Sequence, residues 1–240
     1  MNFGKSKIFT KANSFVFSLL LGIVAVNVSG CVSFAPPIPL MTFGGPKTAA
    51  PGHWELGAGV GSAAFSFNNS LAGGNGYLGH WRVGLSKKID FGFDIMGAQH
   101  SESSTFTFKP SLRFQATDHL RIETSVGAAD DSQGKSIGGE LGFVVGTAHN
   151  APWNYYGALR FAGSLGFNAY NHRHPPAGEP QPPSDAGFGL LSVGSAARLS
   201  PTSHFITEAG YGLLYIRNTN EYAQMMYIGV GVLFNIDGRK

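Results

Sequence analysis

The chain has 240 residues, of which 13% are charged and 34 are glycine; an ordinary soluble protein has about 25% charged residues and about 7% glycine. The net charge of +3 comes from Lys5, Lys7 and Lys11, because the remaining 14 basic residues equal the 14 acidic ones. The composition therefore argues against an ordinary soluble surface, and it leaves no basic patch that would favour nucleic acid as a partner.

The first 30 residues have the pattern of a signal peptide. The three lysines precede an apolar stretch over residues 15–26, which is shorter than the roughly 18 apolar residues of a membrane helix. Val28-Ser29-Gly30-Cys31 follows and resembles the bacterial lipobox, whose cysteine receives diacylglycerol before cleavage. Cys31 is the only cysteine, so no intrachain disulfide competes for it. We predict a lipoprotein signal peptide over residues 1–30 and lipidation, including palmitate, at Cys31; the alternative is an ordinary signal-peptidase site.

Residues 31–52 contain five prolines and no regular alternation of apolar and polar residues. Proline-rich segments of this kind are extended and semi-rigid. We therefore predict that residues 31–52 form a periplasmic tether from the lipidated cysteine to the first strand. Val32, rather than Asp, after the cysteine resembles the sorting pattern of outer-membrane lipoproteins.

From His53 onward the sequence alternates with a period of two, which predicts β-strands. Most of the predicted strands have 9 to 15 residues, which suits tilted strands crossing a bilayer, about 9–11 residues, better than soluble strands of about 5–6. We predict an all-β fold, a closed antiparallel transmembrane β-barrel of ten strands over residues 53–236, with a periplasmic tail at 237–240. The ten segments are 53–65, 76–86, 89–97, 105–116, 120–129, 136–147, 153–167, 187–199, 204–217 and 224–236.

The two faces of these strands differ in polarity. One register is apolar and includes Trp54, Phe93, Val126 and Phe143. If this register faces lipid, the other faces the lumen, and a closed barrel satisfies its backbone in hydrocarbon. We predict a lumen network of ion pairs, with a selectivity filter as the alternative. Its members are six acidic and six basic residues: Glu55, Arg82, Asp90, Asp94, Lys109, Arg113, Arg121, Glu123, Glu140, Arg160, Arg198 and Glu208.

The predicted connections alternate in length. Four have five residues or fewer, whereas the other five, which include 66–75 and 168–186, have six or more. Outer-membrane barrels have short periplasmic turns and longer outer loops. The short connections and both ends of the barrel are therefore predicted to lie in the periplasm.

The last strand, Tyr227-Ile228-Gly229-Val230-Gly231-Val232-Leu233-Phe234, resembles the signal read by the barrel-assembly machinery, a glycine followed by aromatic or aliphatic residues at alternating positions. Over residues 53–236 the chain resembles the general class of small Gram-negative outer-membrane β-barrel proteins. The resemblance implies an outer-membrane location, with membrane lipids and the assembly machinery as partners. The chain departs from the class in its six residues after Phe234 and in its lipobox.

Barrels of about 8 strands are filled by their own side chains, whereas water-filled porins have about 16–18 strands. We therefore expect a largely filled lumen and a structural or surface-interaction role, with no enzyme activity, catalytic residue, cofactor or metal site. The first alternative is a narrow conduit for small or apolar solutes, and the second is a barrel hydrolase acting at the outer rim. The polar groups predicted at that rim match neither the Asp-Asp and Asp-His pairs of omptins nor the His-Ser motif of lipid A deacylases: His80, His100, Glu102, Asp130, Asp131, His172, His174 and Asp185.

Overall fold

The computed structural model describes residues 41–67, 70–99, 104–130, 135–147, 152–167, 185–216 and 220–238. Cys31 and the predicted signal peptide lie outside the described residues. Among the residues that are described, no helix is long and apolar enough to span a membrane.

Ten antiparallel strands close into a barrel. Each strand pairs with its neighbours in the chain, and the first pairs with the last. The predicted ten-stranded closed antiparallel barrel is confirmed. The strands are β1 (His53–Phe67), β2 (Ser70–Gly84), β3 (Ile89–Gln99), β4 (Ser104–Thr117), β5 (Leu120–Asp130), β6 (Lys135–Gly146), β7 (Trp153–Phe167), β8 (Asp185–Ser200), β9 (Ser203–Ile216) and β10 (Glu221–Asp237).

The first hairpin is longer than predicted. β1 ends at Phe67 and β2 begins at Ser70, so the predicted loop 66–75 is mostly strand. Residues 71–76 contain three glycines and lack a polar and apolar alternation. They nevertheless stay in register with β1, and Ser62 Oγ donates to Asn75 Oδ1 at 2.6 Å. Backbone pairing with β1 therefore sets the strand where the side-chain pattern gives no signal.

Side chains alternate between the outer surface and the lumen. On β7, Leu159 and Phe161 are exposed, whereas Ala158 and Arg160 are buried. Large apolar side chains are exposed on every strand, and Val230 departs from the pattern because it is buried in the outward register. Soluble monomers rarely expose contiguous apolar patches above a few hundred Å². The outer surface is therefore suited to hydrocarbon rather than to water.

The segment that precedes β1 lies inside the barrel. Met41 and Phe43 are 3% and 1% exposed. The segment touches inward-facing residues of opposite walls, including Asp90 on β3 and Glu208 on β9. We call residues 41–51 the lumen strap. The structure thus departs from the predicted periplasmic tether over residues 41–51, because the buried groups of this segment find partners on the barrel wall; residues 31–40 lie outside the described part of the chain.

The strap enters from the end of the barrel with the short turns. The connections at the opposite end have two, four, four, 17 and four residues, so the predicted alternation in length is wrong except for the 17-residue connection 168–184. The end at which the strap enters carries the connections 85–88, 118–119, 147–152 and 201–202, and we call it the short-turn end. At this end Gly52 N donates to Gly84 O at 3.0 Å and Pro51 forms a bridge with Gly84. Met41 lies deeper, beside Gly59 of β1. The strap therefore fills the half of the lumen that lies next to the short turns.

Candidate functional site

A continuous ion-pair network lines this half of the lumen. Asp90 is fully buried and accepts hydrogen bonds from Arg82 Nη1 at 3.2 Å and Arg113 Nε at 3.1 Å. Glu123 accepts from Arg82 Nη2 at 3.1 Å and from Arg121 Nη2 at 3.4 Å. Each of these two carboxylates is shared by two guanidinium groups. Sharing offsets the high cost of taking charges out of water, because buried charges are tolerated only when they are paired and hydrogen-bonded.

His80 on β2 joins the network between two acids. Its Nε2 lies 2.9 Å from Glu55 Oε1 and its Nδ1 lies 2.6 Å from Asp94 Oδ1. Arg113 Nη2 also lies 3.1 Å from His80 Nε2. The prediction of His80 at the outer rim is therefore wrong. His80 is two residues from Arg82, so the period of two places both side chains in the lumen.

The network extends further from the short-turn end through Lys109 on β4. Its Nζ lies 3.6 Å from Asp94 Oδ2 and 3.4 Å from Glu140 Oε2. Lys109 thereby links Asp94 on β3 to Glu140 on β6, across β4 and β5. Such cross-strand pairing stabilises the register of the wall that carries it.

A second cluster surrounds Glu208 on β9, which is 2% exposed. Arg160 Nη2 donates to Glu208 Oε1 at 3.0 Å, and Tyr156 Oη donates to Oε2 at 2.9 Å. Tyr227 Oη also donates to this carboxylate. The two tyrosines were not among the predicted lumen residues, although each has the inward parity of its strand. Their rings are apolar, but each hydroxyl donates a hydrogen bond to the buried carboxylate of Glu208.

Eleven of the twelve residues predicted for the lumen network are buried: Glu55, Arg82, Asp90, Asp94, Lys109, Arg113, Arg121, Glu123, Glu140, Arg160 and Glu208. Arg198 is instead exposed at the short-turn end, where its Nε donates to Ser200 O at 3.3 Å. Arg198 still pairs in register with the buried His204, but it lies next to the register shift near the end of β8, where its side chain is exposed. The buried members are then six acids and five bases.

The strap adds hydrogen bonds to these charged groups. Thr42 donates to the Glu208 carboxylate through both its backbone N and its Oγ1, each at 2.8 Å. Arg121 Nη1 donates to Gly45 O at 2.6 Å. Ala49 N donates to Asp90 Oδ2 at 2.9 Å. Thr48 N donates to Gln115 Oε1 on β4 at 3.4 Å. The strap therefore makes polar contacts to four strands, β3, β4, β5 and β9, and is a structural component of the lumen.

Phe43 is the apolar centre of the strap. Its ring stacks on the His80 ring, with centroids 4.9 Å apart and an interplanar angle of 21°. It lies over the seam at which β1 pairs with β10. A Cβ added at Gly57 or Gly231 would lie 3.0 Å from a ring carbon of Phe43, and one at Gly59 would lie 2.9 Å from the sulfur of Met41. These three glycines form a cradle that larger residues would fill.

The backbone of the strap is strained at the same place. Phe43 has a φ of +40°, in the left-handed region that non-glycine residues rarely adopt, and Gly44 follows with a φ of +88°. Such a conformation costs on the order of 1–2 kcal/mol for a residue with a Cβ. The stack on His80 and the glycine cradle must offset this cost.

Among the described residues, the groups predicted for the outer rim form no catalytic arrangement. Asp130 is exposed and pairs with Lys135 at 3.6 Å, and Asp185 is half-buried at the start of β8. No group of three or more His, Cys, Asp or Glu suited to a metal ion occurs among the described residues. The remaining predicted rim residues lie outside the described ranges: His100, Glu102, Asp131, His172 and His174.

No protein-family model matches the sequence, and no curated protein matches it. Several solved barrels are similar in structure. The outer membrane protease OmpT from Escherichia coli is 8% identical with a TM-score of 0.43, over 79% of this chain and 98% of that chain. Neisserial surface protein A is 14% identical with a TM-score of 0.37 (78% and 99%), and the KdgM porin is 8% identical with a TM-score of 0.37 (76% and 98%). Neither the identities nor the TM-scores are high enough to transfer a role to this chain.

Proposed function

We propose that the protein is an outer-membrane β-barrel whose lumen is closed by its own amino-terminal strap, and that it has a structural or surface-interaction role. Its outer surface is apolar on all ten strands, and a closed barrel is one of the two structures that satisfy every backbone group in hydrocarbon. The short-turn end is assigned to the periplasm because the 17-residue connection between β7 and β8 lies at the opposite end, and outer-membrane barrels have their longer loops outside. Membrane lipids and the assembly machinery are the proposed partners, and no nucleic acid is proposed.

The observation that carries this proposal is the burial of the strap within the lumen. A solute passing through the barrel would have to cross a layer in which Phe43, Met41 and Thr42 are packed against the wall. It would also have to separate Arg121 and Asp90 from their strap partners. The conduit alternative therefore requires movement of the strap, whereas the closed barrel requires none.

We also propose that Cys31 carries a lipid anchor. This part of the proposal rests on the lipobox-like Val28-Ser29-Gly30-Cys31 after an apolar signal core. Nine residues lie between Cys31 and the buried Met41, and the ten residue steps from one to the other span at most about 36 Å when fully extended. An anchor at Cys31 would thus be tied closely to the barrel.

Conductance across a planar lipid bilayer tests the closed lumen. The purified barrel should give no steady conductance steps, because the strap and the ion-pair network fill the lumen. The protein recovered from the membrane should show heat-modifiable migration on a gel, which verifies that the barrel is folded. Phe43→Ala provides the matched variant and should give intermittent steps, since it loosens the strap without changing the wall. Steady conductance steps from the unaltered protein would contradict the proposal.

A further inference from the structure

We propose that the lumen half next to the short turns is a peptide-binding site, and that the strap is an intramolecular ligand occupying it. The ligand class is a peptide that bends at an aromatic residue, which follows a hydroxyl residue and precedes two small residues. In the strap these positions are Thr42, Phe43, Gly44 and Gly45. The inference rests on the contacts of the strap and goes beyond the proposed surface role.

The polar contacts are those by which a protein recognises a peptide backbone. Glu208 accepts the backbone N–H of Thr42, and Asp90 accepts that of Ala49. Arg121 donates to the carbonyl of Gly45. Two carboxylates and one guanidinium of the wall thus bind backbone N–H and C=O groups of the strap. These backbone groups lie at fixed spacing over a segment of eight residues.

Side-chain recognition is concentrated at two adjacent positions. The Thr42 hydroxyl donates to Glu208 Oε1. The Phe43 ring occupies the slot between His80 and the glycine cradle, and the ring is 1% exposed. An aromatic anchor in a fully desolvated pocket, beside hydrogen-bonded polar groups, is the usual composition of a binding hot spot.

The glycine cradle indicates a site shaped for a ligand. It is not typical of a lumen that is filled by the inward side chains of its own strands. Barrels of this size are usually filled by inward side chains of their strands. Here Gly57, Gly59 and Gly231 have no side chain, and the space above them is taken by Phe43 and Met41 of the strap. Phe43 accepts a left-handed backbone to reach this position. The wall therefore presents a preformed cavity that the strap enters under strain.

The strap is joined to β1 at an accessible point. Ala50 and Gly52 are exposed at the short-turn end, whereas Thr48 and Ala49 are buried. A short tether holds a ligand at an effective concentration on the order of millimolar. The covalent strap would thus keep a competing peptide out, and a cut after Ala50 would remove this advantage.

The test uses the full chain in a Cys31→Ala background, so that no lipid retains the amino-terminal fragment. A recognition sequence for a site-specific protease is inserted between Ala50 and Pro51, and the folded barrel is cut in detergent. A fluorescent peptide of residues 41–50 is then added, and its binding is followed by anisotropy. The control ligands are the same peptide with Phe43→Ala and a scrambled peptide of equal composition.

We expect the labelled peptide to bind the cut barrel but not the uncut one. The Phe43→Ala peptide should bind at least about 30-fold more weakly, the effect of losing one hot-spot aromatic. The absence of binding to the cut barrel, or equal binding of the scrambled peptide, would overturn the proposal. If the insertion prevents folding, the uncut Phe43→Ala chain replaces it. That chain should take up the unaltered peptide while the parent chain does not, and failure to do so would equally overturn the proposal.

Discussion

Replacing Phe43 by alanine should open the strap while the barrel stays closed. The ring is 1% exposed and is held between His80 and the glycine cradle. Truncation of a buried phenylalanine to alanine costs about 3–5 kcal/mol. Alanine has a Cβ and retains the strain of the positive φ at this position, so relief of strain does not offset the loss.

The free energy of strap opening should therefore fall by about 3–5 kcal/mol, whereas the pairing of the ten strands is unchanged. Since each 1.4 kcal/mol is a factor of about ten, the population of the open strap should rise by about a hundredfold to a few thousandfold. This change is large enough to be seen as a rate of chemical labelling.

The assay follows a single thiol in the strap. Met41→Cys in a Cys31→Ala background places the thiol at a position that is 3% exposed. In the folded barrel it should react slowly with a membrane-impermeant maleimide, and Phe43→Ala should accelerate the reaction by at least about a hundredfold. Phe188→Ala is the matched control, because Phe188 is 6% exposed in a separate cluster with Leu190 and Met225. Equal acceleration by both variants, or none by Phe43→Ala, would refute the role assigned to the ring.

Three further outcomes follow from the charges, the outer face and the amino terminus. Asp90→Asn should lower the free energy of unfolding in urea by about 3–5 kcal/mol, because it removes the carboxylate that two buried arginines share. Asp130→Asn, at an exposed ion pair, should lower the same free energy by less than about 1 kcal/mol. Val126→Arg should reduce the folded fraction on heat-modifiable gels, by about 2–4 kcal/mol near the midplane, whereas Val126→Leu should not, and equal yields would contradict the outward register. Cys31→Ala should abolish incorporation of labelled fatty acid, and label that persists in this variant would exclude lipidation at Cys31.

The barrel could be predicted from the sequence because every strand carries the same simple signal. A period of two separates an apolar from a polar register, and the strand lengths suit a bilayer. The signal fails where the side chains carry no alternation. The sequence therefore predicts a loop over residues 66–75, although residues 70–75 at the start of β2 pair with β1.

The strap could not be predicted because its burial depends on contacts across the whole barrel. Its prolines and its lack of periodicity exclude a strand, and they are typical of an exposed tether. One indirect signal exists: Gly57, Gly59 and Gly231 all face the lumen, and three inward glycines along one seam leave a space that another element must fill. A sequence pattern can indicate such a space, but it does not identify the segment that fills it.

Two errors in the lumen network have local causes. Arg198 has the parity of the other lumen charges, but it lies beside the β-bulge near the end of β8, and its side chain is exposed. Such bulges concentrate at barrel rims, and they have no reliable signature in a single sequence. His80 has inward parity as well, so strict use of the alternation would have placed it beside Arg82. The rule was sound for His80 and failed only at the bulge.

Photo-crosslinking in intact cells tests most directly whether the strap lies inside the lumen. Photo-methionine, a diazirine analogue of methionine, is incorporated in place of the methionines, and crosslinks are mapped by mass spectrometry after illumination. Met96 and Met225 are buried in the wall and serve as internal controls. The sulfur of Met41 lies 2.9 Å from the position of a Cβ at Gly59, so residue 41 should crosslink to β1 around Gly59. Crosslinks from Met96 and Met225, with none from residue 41 to any strand, would contradict a strap within the barrel.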